Sequence, residues 1–522
     1  MKIFCWYFLM LSALLTGCSG LPKQQAASSY RLTAEQVRTS AIASSVVNMA
    51  AQQEPELSGI YPLVEADDAF AARMLLARHA ERSLDIQYYI WHADMTGLML
   101  LEEIHAAADR GVRVRILLDD NNSAELEPFL LSMEGHENIE VRVFNPFVVR
   151  SQRWRWLGFI TDFKRVNRRM HNKSFTADSV VTIVGGRNIG DSYFGADNDV
   201  LFADLDVMAV GKVVPEVADD FDRYWNSPSA YSLAAVSRKV RRVPLDELAL
   251  RAEQIAIDSA AQTYLESLRG ADLVAAMLEG RLELKWARIH MVSDEPAKVL
   301  GKEKKENVVT SQLQKIIGEP EYGVELVSPY FVPTKVVVDS FTWLEREGVH
   351  VRVLTNSLAA TDVAAVHSGY SKRRKAMLKA GIELYELRHT GVKTRKERKQ
   401  ERKKHKSRLL GTSGSSLHAK TFAVDGKKVY VGSFNFDPRS AVFNTELGFV
   451  IESKDLAERI RGAFVYEVPQ QAFEVRLDER GRLYWIERNG DRQTIHGKEP
   501  RARLGKRLAV RFFSWLPIDS LL

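Results

Sequence analysis

Hydrophobic positions along this chain follow two periods in alternation, and the alternation occurs twice. Residues 83–91 and 112–118 are short runs rich in Leu, Ile, Val and Tyr, bounded by charged or turn residues, which predicts buried strands. Between them, residues 96–110 place apolar side chains at helical spacing. The second half repeats the layout, with a strand at 324–327, a helix at 334–347 and a strand at 349–354. Gly111-Val-Arg-Val-Arg115 and Gly348-Val-His-Val-Arg352 are echoes of one another. Strands interleaved with helices predict mixed or parallel sheets covered by helices, an α/β architecture built twice.

Elsewhere the periods fade or change. Residues 19–54 are rich in Ser, Ala and Gln without a clear apolar period, and read as a tether with some helix. Residues 243–305 are acidic and helical in pattern, a connector between two α/β units. The expected organisation is a leader at 1–17, a tether at 18–55, a first domain at 56–242, the connector at 243–305, a second domain at 306–475 and a tail at 476–522. A chain of 522 residues with 45% hydrophobic content has enough material for two sizeable cores.

The repeat extends to chemistry. His171-Asn-Lys173-Ser-Phe-Thr-Ala-Asp178 is followed by Gly185-Gly-Arg-Asn188, and His418-Ala-Lys420-Thr-Phe-Ala-Val-Asp425 by Gly432-Ser433-Phe-Asn435. Both fit H-x-K-x-x-x-x-D with an asparagine seventeen residues after the histidine, then an acid, Asp204 or Glu446. Histidine and lysine at i and i+2 share one face of an extended segment. Facing copies would gather two histidines, two lysines and two asparagines around one pocket. Lysine ammoniums and asparagine amides suit the oxygens of a phosphodiester, one imidazole can attack phosphorus, and the other can protonate the leaving alcohol. Asp204 and Glu446 could each accept a ring N–H. This scheme needs no metal and no cofactor. The other histidines, His79, His105, His136 and His389 among them, read as structural. Asp178 and Asp425 fall at strand ends, where pairing or turn support competes with a direct role.

These motifs resemble the phospholipase D superfamily. The stretches 84–91, 144–147, 168–173, 184–190 and 432–439 are similar to its bacterial cardiolipin synthase C branch, a likeness running from about Tyr61 onward. The resemblance implies two pseudo-twofold-related domains with the site between them. It also implies a phosphatidyl-histidine intermediate, with His171 as nucleophile and His418 as acid, then base. Phosphatidylglycerol would be an acceptor and phosphatidylethanolamine the donor. The copies differ in two ways: Gly186 stands where Ser433 stands, and five extra residues separate Asn188 from Asp204. A hydroxyl contact to phosphate is therefore expected from Ser433 alone.

Compartment and charge shape the alternatives. Lys2 precedes an apolar run at 3–15, too short to span a bilayer but suited to a signal peptide, and Leu15-Thr-Gly-Cys18 resembles a lipobox. Cleavage there would leave a lipid-bearing Cys18 facing the periplasm. Ser19 points away from inner-membrane retention and the family resemblance points toward it, so the membrane stays open. The net charge of +6 is unevenly placed: ten of sixteen residues at 393–408 are basic. Residues 501–516 place Leu504, Leu508, Phe512 and Trp515 on one helical face, and 153–159 mix Trp with Arg. Together these favour an anionic membrane surface over nucleic acid as partner. A cardiolipin synthase-like transferase leads, ahead of a hydrolytic phospholipase D, a nuclease and a non-catalytic scaffold.

Overall fold

The computed structural model describes residues 21–22, 27–122, 124–150, 154, 158–196, 202–237, 240–257, 273–361, 363–389 and 416–521. The leader, Cys18, most of 153–159 and the basic tract 393–408 lie outside the described residues.

The first half contributes β1 (Ser58–Leu63), β2 (Ser83–Ile90), β3 (Arg113–Asn122), β4 (Ile139–Phe144), β5 (Ser174–Ala177), β6 (Val181–Gly185), β7 (Phe202–Ala203), β8 (Asp206–Gly211) and β9 (Ala230–Ser232). The second contributes β10 (Lys285–Ser293), β11 (Gly323–Val327), β12 (His350–Asn356), β13 (Glu383–Leu387), β14 (Ser416–Leu417), β15 (Thr421–Val424), β16 (Lys428–Gly432), β17 (Leu447–Glu452) and β18 (Ala472–Leu477). β19 (Leu483–Asn489) and β20 (Arg492–His496) close the series.

Pairing gives the order β9-β4-β3-β2-β5-β6-β8-β1 in the first half. In the second it is β18-β13-β12-β11-β15-β16-β17-β10. β1 and β10 pair antiparallel, so one continuous sheet reads the same outward from that seam in both directions. That is the signature of a pseudo-twofold axis. β2–β3–β4 and β11–β12–β13 run parallel, joined by crossover segments that carry Met95–Asp109, Lys335–Arg346 and Ala364–Lys379. Each half has its own core on the helix side. A third apolar cluster joins Val184 and Val207 of the first half to Val431 and Phe449 of the second. Each such side chain, fully buried, contributes about 1.5–3 kcal/mol relative to exposure, so the halves form one body.

Three expected boundaries move. The tether is folded from residue 29 onward: Ile42 and Val46 are buried in the first core, and Ser45 Oγ donates to the Met277 carbonyl at 2.6 Å. Ile42, Val46 and Met49 form an i, i+4, i+7 stripe that the surrounding Ser and Ala residues obscure. The connector ends in β10, which pairs with β1 and β17 and is thus part of the sheet. The second domain runs past 475, because β18 continues to Leu477 and β19 and β20 extend the sheet beyond it. Among the described residues, no helix is long and apolar enough to cross a membrane.

Candidate active site

Each histidine is held by backbone from the opposite half. The segment before His171 runs beside Thr445: Met170 bridges Thr445 in parallel, His171 N donates to the Thr445 carbonyl at 2.9 Å, and Thr445 N donates to that of Arg169 at 2.9 Å. In the same way β14 pairs in parallel with β7, and His418 N donates to the Ala203 carbonyl at 2.8 Å. Thr445 and Ala203 immediately precede the two acids. The consequence is a crossed arrangement: His171 Nδ1 lies 2.8 Å from Glu446 Oε2, and His418 Nδ1 lies 2.5 Å from Asp204 Oδ2. Both acids meet Nδ1 and leave Nε2 as the nitrogen turned away from the acid, and neither half contains a complete histidine–acid pair.

Lys173 and Lys420 are buried beside their histidines. Lys173 Nζ donates to the His171 carbonyl at 2.6 Å, and Lys420 Nζ lies 2.8 and 3.1 Å from Nδ1 and Nε2 of His418. Asn172 Oδ1 accepts from Thr445 Oγ1 at 2.8 Å, another tie between the halves. Arg439 adds one more, donating to Asn167 Oδ1 and to its carbonyl, both at 2.9 Å.

Several expected roles change once the side chains are placed. Asp178 and Asp425 have left-handed backbones, φ 51° and 56°, which aspartate tolerates in tight turns. The Asp178 carboxylate accepts from the N–H groups of Glu81, Arg82 and Ser83, and Asp425 does the same for Glu321, Tyr322 and Gly323. They fasten the entry of β2 and of β11, so both carboxylates serve the turn support that the sequence set against a direct catalytic role. Ser433 Oγ faces Glu446 Oε2 at 2.5 Å and accepts from Leu447 N at 3.0 Å, so its hydroxyl supports the acid where a phosphate contact was expected. Asn188 is also committed: Oδ1 accepts from Ile90 N at 3.2 Å and Nδ2 donates to the Tyr193 hydroxyl at 3.1 Å. Asn435 is buried with Oδ1 lacking a protein partner, leaving it the asparagine best placed to turn toward a ligand.

Gly186 has a steric reason. A Cβ there would lie 2.1 Å from Asp204 Oδ1, so the first half gives up the serine to admit the shorter acid. Two residues escaped the sequence reading: Tyr89 packs edge-on to His171 with centroids 4.9 Å apart, and Tyr193 packs edge-on to His418 at 5.2 Å. Tyr193 lies five residues after Asn188, but the second copy has Ser440 there, so the repeat gave no signal.

Electrostatically the two pairs are unlike. Burial holds His171 well below its ordinary pKa of 6.5, reinforced by Lys173 and Lys420. Burial and then Lys420 lower His418 to about 4. Burial and Lys420 bring Lys173 down to about 7. Burial raises Glu446 to about 7, against the pull of Lys173 and Ser433. Asp204 resists the same burial, because Lys420 and His418 hold its carboxyl far below the usual range. One histidine therefore faces a carboxyl held in its ionised form, and the other a carboxyl that burial makes much easier to protonate.

Two histidines, two lysines and two acids crossed between pseudo-symmetric α/β halves define the phospholipase D class. The chain belongs to that class: residues 75–225 and 313–467 match the family described as "Cardiolipin synthase, PLD-like domain". It is 48% identical over 484 residues to cardiolipin synthase C of Escherichia coli, covering 92% of this chain and 99% of that protein. Cardiolipin synthase 2 of Staphylococcus epidermidis is 25% identical over 392 residues, covering 75% and 64%. In fold, the chain is similar to the crystal structure of a phosphatidylserine synthase from Haemophilus influenzae, with a TM-score of 0.57, 12% identity and coverage of 91% and 100%.

Proposed function

We propose that the protein is a phosphatidyltransferase that forms cardiolipin from phosphatidylglycerol and a second phospholipid. The observation that carries the chemistry is the crossed pair His171–Glu446 and His418–Asp204, with Lys173 and Lys420 between. The observation that carries the substrate class is near full-length similarity to a protein named cardiolipin synthase C.

His171 serves as nucleophile. It is strongly biased to the neutral form, its Nδ1–H is held by Glu446, and its Nε2 lone pair attacks the donor phosphorus. The ester bond to the donor headgroup breaks, and His418 Nε2 delivers a proton to the departing oxygen. Asp204, ionised, is the better partner for the imidazolium this requires. The arriving phosphate monoanion offsets the lysine charges that depress His418 in the empty site, raising its proton affinity when it must act as acid. In the second step His418 takes the proton of a phosphatidylglycerol hydroxyl, whose oxygen attacks phosphorus and releases His171. Lys173 and Lys420 stabilise the equatorial oxygens in both steps, supplying charge that a metal ion would otherwise provide. Phosphatidylethanolamine is the proposed donor, losing ethanolamine.

The leader and Cys18 support a lipid-anchored protein facing the periplasm, on either membrane of the envelope. Hydrolysis is the second reading, since water can replace the acceptor hydroxyl in the same geometry. Product analysis by mass spectrometry separates them. Phosphatidylglycerol with phosphatidylethanolamine should yield mainly cardiolipin, and phosphatidic acid dominating at every acceptor level would favour the hydrolase. His171-dependent cleavage of DNA at a comparable rate would favour a nuclease.

A further inference from the structure

Soluble proteins bury the apolar face of an amphipathic helix and leave its charges to water. The helix Leu504–Phe513 does the reverse. Leu504, Leu508 and Phe512, with Trp515 just beyond, are 70, 58, 59 and 78% exposed, while Val510 is its buried residue. The polar side makes the contacts: Lys506 Nζ donates to the carbonyls of Ala359 and Thr361 at 3.3 and 2.8 Å, and Arg507 donates to that of Glu499 at 2.7 Å. Arg503 and Arg511 remain exposed beside the apolar stripe. Ordinary packing against the domain does not account for that arrangement.

Its place in the fold matters as much as its polarity. Residues 357–361 leave the C-terminal end of β12, and Asn356 at that end accepts from Leu417 N and donates to the Leu417 carbonyl, both at 2.9 Å, next to His418. The helix is thus pinned to the loop that follows β12, the strand whose terminal Asn356 holds the residue before His418. The first half has a counterpart. Between the C-terminal end of β4 and His171, the chain makes an excursion bearing Trp154, Ile160 and Phe163, which are 51, 69 and 42% exposed, together with exposed Lys164. Both rims follow the C-terminal ends of parallel strands, where open α/β sheets hold their ligands, one in each half. Apolar tips flanked by basic residues suit the headgroup and upper acyl layer of an anionic bilayer.

We infer that these two rims seat the protein on an anionic lipid surface with the active-site mouth facing the bilayer. This rests on the phospholipid substrate proposed above, and it names the surface through which that substrate enters. Arginine and lysine complement the phosphates, and the apolar tips displace interfacial water, so lipid can reach His171 without leaving the membrane fully.

The test uses the full chain with Cys5 and Cys18 replaced by serine and one new cysteine at a time. Leu508→Cys, Ile160→Cys and Tyr322→Cys each carry an environment-sensitive fluorophore. Tyr322 is exposed at the opposite, N-terminal end of β11. The probe surface is phosphatidylcholine–phosphatidylglycerol vesicles containing an acyl-chain spin-labelled lipid quencher. Quenching should be about threefold or more stronger at positions 508 and 160 than at 322. It should weaken at 160 as well as at 508 when Phe512→Asp and Trp515→Asp are added, because the rims act as one seat. Equal quenching at 508 and 322 would overturn the proposal, as would quenching at 508 without 160. A label at 508 already shielded without vesicles, in a particle of twice the chain mass by light scattering, would make the face a dimer contact and also overturn it. Product analysis on the same proteins with short-chain soluble lipids keeps the two readings apart. Cardiolipin formed by an unquenched protein removes the seat alone, and quenching without cardiolipin removes the transferase alone.

Discussion

The two halves of this molecule fold alike and are charged differently. Each sends a histidine across the seam to an acid of the other, through the same parallel bridge. Yet the first half supplies Asp204, ionised and crowded against Gly186, and the second supplies Glu446, raised by burial and backed by Ser433. A duplicated fold makes two equal sites geometrically. In the mechanism proposed above, an unequal pair of carboxyls divides attack from proton transfer between them.

Removing either histidine tests whether the pairs form one machine. His171→Ala and His418→Ala should each reduce turnover by roughly ten-thousand-fold, and the double variant should be little worse than either. Losses that multiply would mean that the two histidines act independently of one another, and a loss of only about half from each single variant would mean two separate sites.

The acids should then separate. Asp204→Asn removes a charge that is present at pH 7, and should cost on the order of a hundredfold or more in kcat. Glu446→Gln replaces a carboxyl that burial already biases toward its neutral form and should cost on the order of tenfold. Equal losses would erase the proposed asymmetry.

How much of this was legible beforehand depends on which interaction is local. Both H-x-K motifs, the two-unit α/β plan and the second helix–strand echo came directly from residue spacing. The crossing of the acids did not, because Asp204 follows His171 in sequence and lies against His418 in space; a pattern read along the chain favours the nearer partner. Ser433 and Asn188 resemble phosphate ligands by type, and only their neighbours Glu446 and Tyr193 reveal where their hydrogen bonds go. Ile42, Val46 and Met49 were hidden for a compositional reason, since Ser and Ala are read as linker whether or not a helix carries them.

Lys173 makes both stability and turnover depend on pH. Its folded pKa, about 7, lies below the ordinary 10.5, so the folded chain holds fewer protons than the unfolded one between these values. The charged amine therefore destabilises the fold fully below pH 7, and the penalty fades as pH rises toward 10.5. Lys173→Met should raise the melting temperature most at pH 6 and scarcely at pH 10, while greatly reducing turnover. A gain independent of pH would mean that the lysine stays charged on folding throughout this range and that its pKa is not lowered in the site. In the parent enzyme, kcat/KM should fall as pH rises past 7, and Lys173→Arg should move that limb upward.

The smallest expected effect is at Ser433. Ser433→Ala removes a donor that helps Glu446 hold its charge, so the carboxyl should titrate still higher and turnover should drop less than about tenfold near neutrality. A loss as large as that of a histidine would restore Ser433 to direct phosphate contact.

In the proposed mechanism, charge asymmetry makes His171 the nucleophile and His418 the proton carrier. A donor whose leaving group needs no proton, such as a nitrophenyl phosphodiester, isolates the first step. With the His418→Ala enzyme, rapid quenching and peptide mass spectrometry should find the phosphoryl adduct on His171, accumulating because its breakdown lacks a base. With His171→Ala no adduct should form on His418. An adduct on His418, or equal labelling of both histidines in the parent enzyme, would contradict the account.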